Sequence, residues 1–213
     1  MSIRHPGRLP SVLLRRPVRV LRPQDAADVY AHPRPEFARL TKSGVLHRLA
    51  TGYYAVVPDD RVGLTWLPDL ESSALGIAAA DEGVASVALM GISAARVHGA
   101  VPRALGVAVV AAHRHRATIT LADRDATVLF VRRDIGRIDV ERHGLELGAG
   151  WVTTVEQTIL DLASRPELGD VPDEAHAAIR ALRPRADADL LREIAAAQRK
   201  TGALARALDD ADA

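Results

Sequence analysis

Three groups of residues have types and spacings that chemistry could use. His113 and His115 in "HRHR" alternate as strand neighbours do, and Asp123 and Asp125 in "DRD" follow across a short connection, a set that could gather round a cation. A metal site, however, needs ligands converging from several elements, and charged connections between strands carry such residues routinely, so no metal ligand is assigned from this pattern. His98, just before Gly99, reads as a helix-end residue. The Asp-x-Asp of "DRD" could also hold Mg²⁺ for nucleotide transfer, but that chemistry needs a Gly-rich loop around the phosphates. No P-loop, GxGxxG or kinase signature is present. Lys42 and Lys200 are the only lysines, and neither stands two residues after a Glu, which removes a nuclease built on Glu-x-Lys. With no cysteine there is no thiolate zinc site, cysteine nucleophile or disulfide, and no serine sits in a nucleophile-elbow pattern. No catalytic residue and no cofactor are assigned.

The third group is cationic. Arg34, Arg39 and Lys42, with Thr41, lie in "PRPEFARLTK", and Arg48 and Thr51 flank the glycine of "HRLATGYY". Arginine and lysine on one face of a helix can reach phosphates and base edges in a major groove. The formal net charge of +1 hides a strong asymmetry. Residues 1–58 hold ten Arg and Lys against three acids (Asp25, Asp28, Glu36), whereas the remainder holds 18 basic and 24 acidic residues. A basic head on an acidic body points to an anionic partner, with nucleic acid the commonest soluble one. The competing account of these cations is a solvated face with no ligand.

The elements that must carry these residues follow from punctuation and periodicity. A short helix is expected over about Pro10 to Arg16, stopped by Pro17, then an extended piece from Val18 to Leu21. Pro23 suits the first turn of a helix running to about Tyr30, and "AHPRP" breaks it. A second helix, about Pro35 to Ser43, turns Phe37 and Leu40 inward and ends at Gly44. "VLHRLATGYYAVVP" alternates and then turns at Thr51 and Gly52, a hairpin in which Tyr53 and Tyr54 face opposite ways; one belongs to a core. Helix, turn, helix, hairpin is the order of a winged helix-turn-helix, with residues 41–58 supplying the end of the recognition helix and the wing.

Beyond "DDRVG", helices are expected at 68–82 and over "GISAARV", and strands over "VASVALM", "LGVAVVAA", "ATITL", "ATVLFV" and "IDVERHGLELGA". "TTVEQTILDLAS" opens with a capping box from Thr153 to Glu156 and puts Val155, Ile159 and Leu162 on one face. Three helices, about 173–182, 186–199 and 202–208, close the chain. The fold class is therefore α+β: a winged helix-turn-helix over 1–60, then over 61–213 a mixed, mostly antiparallel sheet domain with flanking and C-terminal helices.

Length and composition agree. The 213 residues are 48% hydrophobic but only 3% aromatic, so alanine, valine and leucine must fill the interior. The longest apolar run in the N-terminal segment is too short for a signal peptide, and none approaches the roughly 18 residues of a membrane span. A cytoplasmic, non-membrane protein is expected.

Three stretches, "LTKSGVLHRLATGYYAV", "LMGISAARVHGAVP" and "TTVEQTILDLASRPEL", resemble in order and spacing the AbiEi antitoxin family of type IV toxin–antitoxin systems. The resemblance covers most of residues 40–168, and the last 45 residues match it poorly. It implies a winged helix that binds inverted repeats in double-stranded promoter DNA and represses its own operon, with two heads on the DNA as a homodimer or paired monomers. It also implies a C-terminal domain that counteracts a cognate nucleotidyltransferase-like toxin. The family's DNA contacts would fall on Arg34, Arg39, Lys42 and Arg48; where the family usually has Arg before the wing glycine, this chain has Thr51. Two other functions remain open: covalent modification of the toxin, for example phosphorylation, and a transcription regulator whose second domain senses a small ligand.

Overall fold

The structure is a computed structural model and describes residues 9–209. Its N-terminal part contains helix α1 (Ser11–Leu14), strand β1 (Val20–Leu21), helix α2 (Pro33–Lys42) and a hairpin of β2 (Leu46–Ala50) and β3 (Tyr53–Val56). The three strands form an antiparallel sheet in the order β1-β3-β2. Pro33 begins α2, where a missing N–H costs nothing, and Phe37 and Leu40 are its fully buried residues. Its end is a Schellman motif. Gly44 takes φ +75°, Val45 N donates to Leu40 O at 3.0 Å and Gly44 N to Thr41 O at 3.1 Å. The hairpin turns on Thr51 and Gly52, the latter at φ +87°.

One expected helix is absent. Pro23 to Tyr30 is a single 3₁₀ turn, Pro23–Ala26, followed by turn residues. Val29 N and Tyr30 N both donate to Ala26 O, which closes the turn instead of propagating it. His32, before Pro33, is held out of the helical region at φ −133° and ψ 78°, so no room remains for a second turn. Asp25 accepts from the Arg22 backbone N at 2.8 Å and pairs with the Arg22 guanidinium.

The rest of the chain runs α3 (Leu70–Glu82), β4 (Val87–Leu89), α4 (Gly91–Val97), β5 (Val107–Ala112), β6 (Ile119–Thr120), β7 (Thr127–Arg132), β8 (Val140–Leu145), β9 (Gly148–Thr153), α5 (Val155–Ser164), α6 (Pro172–Leu182), α7 (Ala188–Ala197) and α8 (Thr201–Asp209). A six-stranded sheet has the order β6-β7-β5-β4-β9-β8. Its three antiparallel neighbours are β4–β5, β6–β7 and β8–β9; β5–β7 and β4–β9 are parallel. The protein is thus a mixed α+β fold. The single β-rich run expected at 138–149 is the first strand and turn of a hairpin whose second strand extends to Thr153. Thr154, not Thr153, caps α5, its Oγ1 accepting from Gln157 N at 3.3 Å. Thr153 ends β9 with its hydroxyl 2.8 Å from that of Thr158.

Helix α3 is buried almost all round, every residue from Leu70 to Ala78 being enclosed, because it packs against both sheets. Leu75, Ile77 and Ala78 share one core with Val18, Val20, Leu49 and Ala55 from the N-terminal sheet and with Val87, Leu89, Val110 and Val152 from the large one. Gly76 sits where Val20 presses on the helix. On the other side of the large sheet, Met90, Ile92 and Ala95 meet Ile159, Leu160, Ile179, Leu182 and Leu191 in a second core. A third, small core of Leu13, Leu21, Phe37, Leu40, Leu46 and Val56 fixes α2 on the outer face of the N-terminal sheet. Polar contacts join the layers: Asp81 of α3 accepts from Tyr53 Oη at 2.6 Å and pairs with both Arg22 and Arg116, and Asp123 lies 2.7 Å from His47 Nε2. Among the described residues no helix is long and apolar enough to cross a membrane.

Candidate nucleic-acid interface

Burying Phe37 and Leu40 sets what α2 presents outward. Arg34 lies exposed in its first turn, Ala38 and Arg39 are exposed in the middle, and Lys42 is exposed at its end. Thr41 is half-buried, and its hydroxyl donates to Phe37 O at 2.8 Å, so it is engaged with its own helix. Arg39 is held by Glu36, Nε at 3.0 Å and Nη2 at 2.5 Å from the two carboxylate oxygens, and this bond keeps the Glu36 carboxyl below its ordinary range. Arg39 therefore offers less net charge than its exposure suggests.

On the hairpin, Arg48 projects from β2 and donates through Nη2 to Thr51 Oγ1 at 3.2 Å, which links the strand to the turn. The two tyrosines divide as a strand requires. Tyr54 packs edge-on to Phe37, ring centres 5.2 Å apart, inside the small core, while Tyr53 points the other way to Asp81 and accepts from Arg116 at 3.0 Å. The Tyr53 hydroxyl is therefore engaged within the protein.

Between the start of α2 and the hairpin tip lies a cleft of about 600 Å³, lined on one side by His32, Pro33 and Arg34 and on the other by Thr51, Gly52 and Tyr53, with Arg22 and Gln24 contributing from the 3₁₀ turn. Arg34 and Thr51 are thus brought to one opening, and Arg48 reaches it through Thr51. Arg39 and Lys42 lie further along α2, outside the cleft. Reading along the chain does not find Arg22 or Gln24, because they arrive through the pairing of β1 with β3, while His32 comes as the residue before α2. The one signal was "HPRP", whose prolines fix where α2 must begin.

Most of the described cations between residues 9 and 58 are not consumed by the acidic half. Arg22 pairs with Asp25 and Asp81, Arg16 lies 3.6 Å from Asp25, and Arg39 holds Glu36. Arg15, Arg19, Arg34, Lys42 and Arg48 form no ion pair among the described residues; Arg4 and Arg8 lie outside them. The "HRHR" segment does not gather with "DRD": His113 and His115 are exposed, the backbone N–H groups of His113 and Arg114 donate to Glu82, and Asp123 is taken by His47 and Arg124. No protein-family model matches the chain, and no curated protein matches it either.

Proposed function

We propose that residues up to about 60 are a winged unit that binds duplex DNA through α2 and the β2–β3 hairpin, with the 3₁₀ turn Pro23–Ala26 in the place of the first helix of a helix-turn-helix, and that the chain is an autoregulating antitoxin. The observation that carries the DNA part is the set of exposed cations without carboxylate partners among the described residues: Arg34 at the cleft, Lys42 further along α2, and Arg48 on β2, bonded to the cleft residue Thr51. Such cations exchange condensed counterions for protein contacts at no cost in broken ion pairs. Thr51 and Gly52 at the hairpin tip carry no bulky side chain, so the backbone can approach a phosphate closely. Inverted repeats require two heads, so the chain acts on DNA as a homodimer or as paired monomers.

The antitoxin part rests on the likeness of three stretches to the AbiEi family. Supporting it, the second and third stretches, which are far apart in sequence, meet in one core: Met90, Ile92 and Ala95 pack with Ile159, Leu160 and Leu162. Whatever acts on the nucleotidyltransferase-like toxin is then a property of one packed body. A duplex spanning the region upstream of the protein's own gene should shift in a gel at concentrations where a scrambled duplex does not, and co-expression should rescue growth from the neighbouring toxin gene. Equal binding to both duplexes would remove the repressor role. Rescue accompanied by an ATP-dependent mass increase of the toxin would make the protein a modifying enzyme. A neighbourhood without a nucleotidyltransferase gene would favour a ligand-sensing regulator.

A further inference from the structure

From the side chains that converge where α4 ends beside the edge strand β8, we infer a binding site for a divalent transition-metal ion made by His98, Glu141 and His143. Their ligand atoms all lie within 4.8 Å of one another. His143 Nε2 is 3.0 Å from Glu141 Oε1, and His98 Nδ1 is 3.9 Å from the same oxygen. Ligands about 2.0–2.1 Å from a tetrahedral ion stand about 3.3 Å apart, a separation that these two distances bracket.

Each residue reaches the site for a reason visible in the fold. Glu141 and His143 are two apart on β8 and so share a face. His98 is the C-cap of α4, its N–H donating to Ala94 O, and it brings a buried ring to the same place. His98 Nε2 lies 2.7 Å from Thr153 O. A carbonyl only accepts, so Nε2 carries the proton and the lone pair is on Nδ1, the atom that faces Glu141. A backbone carbonyl fixing the far nitrogen is the usual outer support of a metal-bound histidine. Burial also lowers the His98 pKa from its ordinary value, favouring the neutral, ligating ring.

The site is half open. The His98 side chain is 3% exposed, but His143 is 29% and Glu141 48% exposed, so an ion can enter, and the two outer ligands can close on the fixed inner one. Two imidazoles and a carboxylate suit Zn²⁺, Co²⁺ or Ni²⁺ rather than Mg²⁺ or Ca²⁺, and three protein ligands leave a position for water or a ligand from a partner. The Arg185 guanidinium opposes positive charge at His98, but its Nη1 donates to His98 O at 2.6 Å, which directs it to the backbone. The ion would tie the end of α4 to the outermost strand of the sheet, in the segment "ARVHGAVP" that ends the second AbiEi-like stretch. The inference does not depend on the DNA reading.

The test uses tag-free full-length protein, dialysed against chelator and titrated with Zn²⁺ by calorimetry and with Co²⁺ by visible absorption. One ion per chain and the d–d bands of nitrogen- and oxygen-bound cobalt are expected. His143→Ala and Glu141→Gln, both at solvent-accessible positions and checked for fold by circular dichroism, should each weaken binding by on the order of 100-fold, at the upper end of what loss of even an outer support costs. Absence of stoichiometric binding, or binding unchanged in both variants because another histidine carries it, would overturn the assignment.

Discussion

Replacing Gly76 with alanine tests how the N-terminal sheet is held on the rest of the molecule. A Cβ at Gly76 would lie 2.2 Å from Val20 Cγ2, 3.0 Å from Val20 Cβ and 3.2 Å from Val18 Cγ1. On helix propensity alone the change stabilises α3 by about 1 kcal/mol. Overpacking a filled core costs about 1–3 kcal/mol, and the upper part of that range applies because Val20 is stiff at χ1 and its backbone is held in the ladder with Ala55. The net expectation is a loss of about 1–2 kcal/mol. For a chain of this size that lowers Tm by roughly 2–8 °C. Val20→Ala alone removes two buried methyl groups and should cost about 1.6 kcal/mol. Together the changes relieve the clash, so the double variant should be more stable than the sum of the singles by about 1–3 kcal/mol. Thermal and urea unfolding of the four proteins reads this directly. A Gly76→Ala protein more stable than the parent, or a strictly additive double variant, would show that β1 does not press on α3 as described.

Two further outcomes concern charge. Burial pushes the Asp123 carboxyl up, but hydrogen bonds from Arg124 and His47 outweigh it and leave its pKa below the ordinary 3.8. A carboxyl lowered in the folded state adds stability that is fully present above about pH 3.8 and is lost as pH falls through the folded value. Urea unfolding followed from about pH 5 to pH 2 should therefore show a shallower acid loss in Asp123→Asn than in the parent, and identical profiles would exclude the linkage. Glu36→Gln frees Arg39 from its only carboxylate partner among the described residues and should tighten DNA binding, steepening its salt dependence by about one unit. Weaker binding would mean instead that Glu36 orients Arg39 for its contact.

What could be read from the chain and what could not follows from the range of the interactions involved. Helix α2 and the hairpin were visible because their signals are local: Phe37 and Leu40 three apart, Gly44 at a Schellman end, alternation up to Ala50, Gly52 in the turn. The helix expected at Pro23 does not form, because Ala26 O captures two N–H groups and His32 precedes Pro33, which leaves one turn where the composition allows two. The capping residue of α5 moved from Thr153 to Thr154 because Thr153 is still pairing with Val140 in the sheet. Strand β9 is not set apart along the chain because Gly148, Ala149 and Gly150 interrupt the signal of Trp151 to Thr153; its pairing with β4 and β8 on either side defines it. Arg22 reaches the cleft, and His98 reaches Glu141 and His143, only through tertiary pairing, so no spacing rule along the chain would have joined them.

The central claim is that unpaired cations on α2 and β2 meet a DNA backbone. Its most direct measurement is the dependence of log Kobs on log salt concentration for the parent and for an Arg34→Ala/Lys42→Ala double variant on the upstream duplex. The expected result is linear plots in which the double variant loses about two units of slope, roughly 0.9 for each phosphate contact removed. A slope unchanged by the two substitutions would contradict the account.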